Sequence, residues 1–174
     1  LKDCDFKNKK FDHIAAFQTL EHVSDPYQFL VDAGKILNDG GKLFIEVPNL
    51  NDALLSMWPV GAYRKFYFQK AHTFYFSPKS IKTLFSKVGF KLEKIYFLQD
   101  YNLFNHFFWY LNNGPQSNSS FGLSVPHINF SGFSSRASQK INQLILTADK
   151  DYKKVLSEYQ ITSNIFVIAS KTSK

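Results

Sequence analysis

The chain has 174 residues, of which 44% are hydrophobic and 20% are charged. This balance supports a packed core, excludes an intrinsically disordered chain and, at this length, favours one domain. No apolar run reaches the roughly 18–20 residues that a membrane-spanning helix needs, and no signal peptide opens the chain. The single cysteine, Cys4, excludes an internal disulfide and a cysteine-based zinc site, which favours a cytoplasmic location.

The net charge of +7 arises from 21 Lys and Arg residues against 14 Asp and Glu residues. The basic residues are scattered, and none forms a run longer than two. A solvated, lysine-rich surface explains this pattern, so we expect no nucleic-acid partner. A nucleic-acid-binding chain would show an affinity that falls steeply with added salt.

The first elements in chain order predict a βαβ unit. Phe11–Phe17 is a short apolar run of the kind that a buried parallel strand shows. Asp25 is suited to cap a helix that has Pro26 at its first position. The sequence Asn-Asp-Gly-Gly at residues 38–41 ends that helix and turns the chain, and residues 43–47 form the next strand.

A second helix and two more strands follow. Ser77 and Pro78 again pair a cap with a proline, and Gly89 ends the helix. Residues 91–98 alternate in the manner of a strand, and the β-branched residues 164–170 predict a central one.

The segment between these two strands, residues 100–160, differs in composition and is predicted to be a helical and loop insertion. Residues 101–111 are aromatic and helical in pattern, residues 112–135 are rich in Ser, Asn, Gly and Pro, and residues 137–156 again show helical periodicity.

Several motifs in this order resemble class I, Rossmann-like methyltransferases that depend on S-adenosylmethionine. The nearest branches are the ubiquinone-biosynthesis and sugar methyltransferases. The motifs are Phe11-Asp12-His13-Ile14 with Leu20-Glu21-His22-Val23 and Asp25-Pro26, then Asp39-Gly40-Gly41 with Val47-Pro48-Asn49, then Phe76-Ser77-Pro78 with Val88-Gly89-Phe90. The resemblance covers roughly residues 1–98 and 160–172. It implies an α/β fold whose strands are equivalent to the fourth, fifth, sixth and antiparallel seventh of that sheet, with flanking helices.

The glycine-rich cofactor turn of the family has no counterpart in this sequence. None of the eight glycines forms a GxG pattern, and ten residues before Phe11 are too few for the three strands that precede it in the family. The resemblance therefore implies a single partial domain, the C-terminal portion of a methyltransferase. S-adenosylmethionine is the expected cofactor, although this chain alone lacks much of the family's site for it.

Candidate catalytic residues follow the first strand, where ligands of open α/β sheets bind. One helical turn over residues 18–22 would bring the side chains of Gln18, Glu21 and His22 together. His22 is the expected general base, and Glu21 orients it or binds a metal. In the ubiquinone-type relatives a carboxylate at position 18 completes a proposed metal site. Because an amide is a poorer ligand, we expect no metal here. The plainer interpretation is that Glu21 caps the following turn and His22 packs beneath it.

The resemblance also implies contacts with the donor. Phe17 and Gln18 would lie along its methionine part, mostly through backbone groups. Asp3 and Cys4 occupy the place where such enzymes touch the adenine edge, although acidic residues near a chain start are often only solvated.

On the acceptor side, the resemblance places His72 and Tyr75 at the border of the acceptor pocket. A structural role for His72 is an equal alternative. The aromatic residues in 58–68 and 101–110 form a lid and an outer wall or, more simply, core.

Two function classes follow from these observations. The first is a methyltransferase that performs O- or C-methylation of a small or carrier-linked acceptor such as a sugar. The second is a non-catalytic half-domain, because Phe11–Phe17 without preceding strands would be an exposed sheet edge. Such an edge predicts a homodimer or docking of a separate N-terminal half.

Overall fold

The computed structural model describes residues 9–132 and 134–172. Asp3 and Cys4, the residues predicted at the adenine edge, lie outside the described residues. The described strands are β1 (Phe11–Phe17), β2 (Leu37–Pro48), β3 (Phe90–Leu98) and β4 (Asn164–Lys171). The described helices are α1 (Pro26–Ile36), α2 (Ala53–Ser56), α3 (Gly61–Tyr67), α4 (Pro78–Val88), α5 (Leu103–Asn112), α6 (Ser120–Leu123) and α7 (Ser135–Glu158).

The four strands form one mixed sheet in the order β1-β2-β4-β3. β1 and β2 pair in parallel, and β4 runs antiparallel to both β2 and β3. The last strand of the chain therefore lies in the interior of the sheet, between two strands that precede it. The predicted α/β class, the antiparallel last strand and its central position are confirmed.

Local capping signals account for the two helices that flank the sheet. The Asp25 side chain accepts a hydrogen bond from the backbone N–H of Gln28 and caps α1. Ser77 caps α4 in a capping box with Ser80, and Gly89 ends α4 in the left-handed conformation that glycine tolerates best. The predicted starts of both helices are confirmed.

β2 begins earlier than its sequence pattern predicts. The expected strand covered residues 43–47, but β2 starts at Leu37, immediately after α1. The pairing with β1 shifts across this region, from Phe11 opposite Leu37 to His13 opposite Lys42. Residues 38–41 therefore form an irregular bulge inside the strand, rather than a turn before it.

One face of the sheet carries the main hydrophobic core, which α1 and α4 cover. Leu30 and Ala33 of α1 and Ile81 and Phe85 of α4 are completely buried. They pack in one cluster with the inward residues of β2 and β4, which are Leu43, Ile45, Val47, Ile165, Val167 and Ala169. The other face presents aromatic rings instead. On it Phe166 of β4 contacts Phe17, Phe44 and Tyr96.

The segment between β3 and β4 is helical, and it packs on the aromatic residues that follow β2. Trp109 of α5 contacts Tyr63 of α3 at a ring-centroid distance of 4.9 Å, and both residues are buried. The helical predictions for 101–111 and 137–156 are confirmed, while the predicted loop 112–135 contains α6. Tyr63, Tyr67 and Trp109 belong to a second core on which Trp58 packs. Other aromatic residues of the two segments are exposed, namely Phe66, Phe68, Phe107 and Tyr110. Within the described residues, no helix is long and apolar enough to cross a membrane.

We expect Gly41→Ala to destabilise the fold, because a β-carbon at this position would lie 2.8 Å from the carbonyl oxygen of Asn38 and 3.1 Å from that of Asp12. Both contacts are with backbone, so relief requires movement of the bulge. We expect a loss of about 1–3 kcal/mol in the free energy of unfolding, measured by urea denaturation. Gly61→Ala is the matched control, since a β-carbon there meets nothing within 4 Å. Equal stability of the two variants would contradict the bulge geometry.

Candidate functional site

Gln18 connects three strand ends at the carboxyl edge of the β1–β2 pair. Its backbone has a positive φ of 48°, and its N–H donates to the carbonyl oxygen of Glu46 at 2.9 Å. Its side-chain amide donates to Glu46 Oε1 at 3.1 Å and to Asn164 Oδ1 at 3.3 Å. The predicted helical turn over 18–22 is wrong, because Gln18 adopts a left-handed conformation and its side chain bonds to β2 and β4 instead of Glu21 and His22.

Glu21 has the most unusual environment among the predicted site residues. Its exposed fraction is 1%, and within the described part of the chain neither carboxylate oxygen has a hydrogen-bond partner of good geometry. Its backbone carbonyl accepts hydrogen bonds from the N–H groups of Thr73 and Phe74, which joins this loop to the segment before α4. Burial raises the pKa of the Glu21 carboxyl, and Glu46 adds to the rise, while the backbone N–H of Glu21 itself and His22 oppose it. Because no N–H of the following residues bonds to its carboxylate, Glu21 does not cap the following turn.

His22 lies beside Glu21 and faces outward. Its side chain is 42% exposed, and its Nε2 lies 3.8 Å from Glu21 Oε1. Its Nδ1 lies 2.8 Å from the carbonyl oxygen of Ala71, a group that can only accept a hydrogen bond. We therefore assign the ring proton to Nδ1, which leaves the Nε2 lone pair free. The plainer interpretation, in which His22 packs beneath Glu21, is wrong, because Glu21 is the buried residue and His22 the exposed one.

His72 approaches the same point from the other side. Its ring meets that of His22 edge-to-face at a centroid distance of 4.7 Å, and Tyr75 packs on it at 5.5 Å. Its Nδ1 is buried and has no hydrogen-bond partner among the residues that the structure describes. Burial lowers the pKa of His72, and the neighbouring His22 lowers it further. One potential ligand atom from each of Glu21, His22 and His72 lies within 4.8 Å of the others.

Two other predicted contacts have different surroundings. The Tyr75 hydroxyl is engaged with backbone, since it accepts from the N–H of Gln69 at 2.7 Å and also contacts the carbonyl of Tyr67 at 3.2 Å. Phe17 is 53% exposed, and its ring lies 6.0 Å from that of Phe166. Phe17 is therefore exposed at the carboxyl edge, whereas the amide of Gln18 is engaged and Tyr75 supports the loop that carries His72.

Sequence reasoning missed three polar residues beside Gln18. Glu46 is the acceptor of the Gln18 bonds, and Asn164 bonds both Gln18 and Asp100, the latter through Nδ2 to Oδ2 at 2.6 Å. Burial raises the pKa of Asp100, while Lys153 and Asn164 lower it. One signal was visible: Glu46 is a carboxylate within the otherwise apolar strand residues 43–47. Asn164 and Asp100 carried no such signal because their partners are distant in sequence.

A second buried polar group lies behind the site. Asp52 caps α2 through the N–H of Leu54 and accepts a longer hydrogen bond, 3.4 Å, from the Tyr63 hydroxyl. Burial raises its pKa from 3.8 to about 6, while the bonds from Leu54 and Tyr63 hold the rise back. The nearby Tyr67 hydroxyl is also buried, and no described residue forms a hydrogen bond with it.

The arrangement defines a class of protein. A βαβ unit with polar groups at the carboxyl edge of parallel strands, and an antiparallel strand inserted between β2 and β3, is the Rossmann-like architecture that the sequence motifs imply. Residues 1–95 match the family described as methyltransferase domain. The chain belongs to that methyltransferase family. A search of curated proteins found no match.

Solved structures of methyltransferases share this fold. A putative methyltransferase from Haloferax volcanii, in complex with the Trm112 activator, is 11% identical with a TM-score of 0.53, over 99% of this chain and 58% of its own. A putative methyltransferase from Bacillus halodurans is 15% identical with a TM-score of 0.52, over 99% of this chain and 69% of its own. A possible histamine N-methyltransferase from Thermotoga maritima is 19% identical with a TM-score of 0.51, over 98% and 60%. The chain thus spans about three fifths of two of these structures.

We expect Asp52→Asn to stabilise the protein at pH 7. A raised carboxyl pKa means that the folded state keeps a proton that the unfolded state releases between pH 3.8 and about 6. The contribution of Asp52 to stability therefore falls as the pH rises through this window, and the full penalty applies at pH 7. The asparagine, which can still cap α2, avoids a penalty of about 2–3 kcal/mol.

Urea denaturation at pH 4 and pH 7 measures this effect. The difference between wild type and Asp52→Asn should be large at pH 7 and small at pH 4. Asp151→Asn, on the exposed side of α7, is the control and should show no such dependence. A pH-independent difference would contradict the burial of an ionisable Asp52.

Proposed function

We propose that this protein is an S-adenosylmethionine-dependent methyltransferase that acts on a small or carrier-linked acceptor. The observation that carries the proposal is the grouping of Glu21, His22 and His72 at the carboxyl edge of β1, in a chain of the methyltransferase family. Ligands of open α/β sheets bind at this edge. The proposal includes the division into a single partial domain with a 100–160 insertion, and a cytoplasmic location.

The proposed chemistry is an in-line displacement at the methyl carbon of the sulfonium. The acceptor oxygen or carbon forms a bond to the methyl group as the sulfur–methyl bond breaks, and the sulfur keeps the electron pair. The acceptor's proton passes to Nε2 of His22, whose lone pair is free because Nδ1–H bonds to Ala71. The resulting imidazolium is stabilised by Glu21 Oε1 at 3.8 Å. His22 thus acts as base and Glu21 as its electrostatic partner.

The donor and acceptor would lie on opposite sides of His22. Phe17 and Gln18, at the end of β1, would contact the methionine part of the donor, and Asp3 and Cys4 its adenine edge. His72 would border the acceptor together with the ring of Tyr75, whose hydroxyl is already engaged. Phe17 and Phe74 lie beside these residues and are 53% and 37% exposed. Exposed aromatic rings suit a sugar, which packs its apolar faces on them. O- or C-methylation of a sugar is therefore the acceptor chemistry that we propose.

The second candidate is a half-domain that binds a partner, and the position of β1 at the edge of the sheet favours it. Among the described strands, β1 has β2 as its single neighbour. Such an edge is a template for another strand. We propose that a second copy or a separate N-terminal half pairs there, and that nucleic acid is not a partner.

Calorimetric titration of S-adenosylhomocysteine into this chain, beside a chain extended upstream to include the family's glycine-rich turn, tests the first proposal. We expect saturable binding by the longer chain, and we expect its His22→Ala variant to bind normally while losing turnover by about 10²- to 10⁴-fold, the usual contribution of a general base. His127→Ala removes an exposed histidine outside the site and should retain full activity. Absence of cofactor binding would leave the partner-binding half-domain as the explanation.

Sedimentation velocity tests the proposed strand pairing at β1. Ala15 is exposed on this edge strand, so Ala15→Lys introduces a charge that opposes strand addition without disturbing the core. We expect the wild type to sediment as an assembly and Ala15→Lys to shift toward the monomer. A wild-type monomer under the same conditions would contradict the homodimer, and a monomer that captures a strand-bearing N-terminal half would favour the docking alternative.

A further inference from the structure

The three residues grouped at the carboxyl edge of β1 combine features that point to a bound cation. Glu21 is 1% exposed, yet both of its carboxylate oxygens lack a hydrogen-bond partner in residues 9–132 and 134–172, which the structure describes. An ionised carboxylate is costly to bury unless it is paired or coordinates a metal. The nearest cationic group among the described residues is His22, 3.8 Å away and charged only when protonated. The described residues therefore do not neutralise the Glu21 carboxylate unless His22 is protonated.

The two histidines supply what the carboxylate lacks. The Nδ1 of His22 is held by the carbonyl of Ala71, so Nε2 faces Glu21 with its lone pair free. This is the arrangement that orients a metal-binding imidazole, with one nitrogen bonded to a backbone carbonyl and the other open. A ring nitrogen of His72 lies within 4.8 Å of the ligand atoms of Glu21 and His22. The Nδ1 of His72 is buried and has no hydrogen-bond partner among the described residues.

We propose that Glu21, His22 and His72 bind a divalent transition-metal ion. Two imidazoles and one carboxylate are the donor set of zinc and other first-row transition ions, whereas magnesium and calcium prefer oxygen ligands. Gln18 takes no part, because its amide is bonded to Glu46 and Asn164. The sequence predicted no metal because Gln18 is a poor third ligand beside Glu21 and His22. In the structure the third ligand is His72, fifty positions after His22.

The geometry requires a small contraction. Ligand atoms around a tetrahedral zinc ion lie about 3.3 Å apart, given metal–ligand bonds of about 2.0–2.1 Å. The separation of Glu21 Oε1 and His22 Nε2 is 3.8 Å, and the whole set lies within 4.8 Å. The His22 side chain is 42% exposed, so its ring has room to shift toward the buried carboxylate. Three protein ligands leave a fourth position open, as in catalytic zinc sites.

Metal binding would change the role of His22. Its Nε2 lone pair cannot serve both a metal and an incoming proton, so a metal-loaded protein would not use His22 as a base. An acceptor hydroxyl bound at the open position would lose its proton more readily instead, since a bound cation lowers the pKa of a coordinated oxygen. The metal site itself does not depend on the proposed methyl transfer.

The test is a zinc titration of the protein, purified without a polyhistidine tag and treated with a chelator. We expect one zinc ion per chain, little binding of magnesium, and a visible absorption spectrum when cobalt(II) replaces zinc. Glu21→Gln and His72→Phe preserve side-chain size but remove a ligand, so each should lower zinc affinity by at least tenfold. His127→Ala, which removes an exposed histidine elsewhere, should leave the affinity unchanged.

Several outcomes would overturn the site. These are the absence of stoichiometric zinc binding, an affinity unchanged by Glu21→Gln and His72→Phe, a loss on His127→Ala alone, or a preference for magnesium. Circular dichroism of the metal-free variants establishes that they are folded. Titration of S-adenosylhomocysteine is a separate measurement, so a failure of the proposed cofactor site and a failure of the metal site are distinguishable.

Discussion

The pairing of β4 with strands on both sides is the constraint on which the site depends. β4 is the last strand of the chain, yet it hydrogen-bonds to β2 along one edge and to β3 along the other. Its first residue, Asn164, therefore arrives at the carboxyl ends of the neighbouring parallel strands. There it bonds to Gln18 after β1 and to Asp100 after β3. The end of the chain thus positions the loop that follows its first described strand.

Glu21, in that loop, has a carboxylate whose burial is electrostatically unfavourable. The charged form of this residue is disfavoured by burial and by the nearby Glu46, and no described side chain donates a hydrogen bond to it. Stable folds rarely keep such a group without a compensating interaction. The two histidines offer either a proton, when one is charged, or lone pairs toward a shared cation. Both possibilities place the chemistry of the site at the same few atoms.

Residues that cap, start or end helices made most of the fold predictable. Asp25 with Pro26, Ser77 with Pro78, and Gly89 act within one helical turn, so the sequence nearby determines the helix ends. The conformations that the sequence did not predict depend on distant partners. Gln18 is left-handed because its N–H and amide are held by Glu46 and Asn164, which lie 28 and 146 positions away.

The same distinction applies to the candidate site. Glu21 and His22 are adjacent in sequence, so their proximity could be predicted. The placement of His72 beside them depends on Thr73 and Phe74, whose N–H groups bond to the carbonyl of Glu21. A local pattern does not encode that contact. The roles of these residues remain predictions, and so do the contacts proposed for Phe17, Asp3 and Cys4.

A chain of aromatic contacts connects His72 to the segment between β3 and β4. Tyr75 contacts both His72 and Tyr67, and Tyr67 packs on Tyr63, which meets Trp109 of α5. Trp58 also donates a hydrogen bond to the Tyr152 hydroxyl of α7, which in turn lies 2.6 Å from His106 Nδ1. These contacts are buried or half-buried, so a change in α5 or α7 would shift the support of His72. In the proposed function the reacting groups lie on loops of the sheet and the acceptor borders His72. We therefore expect changes in the segment between β3 and β4 to alter acceptor preference without altering Glu21 or His22.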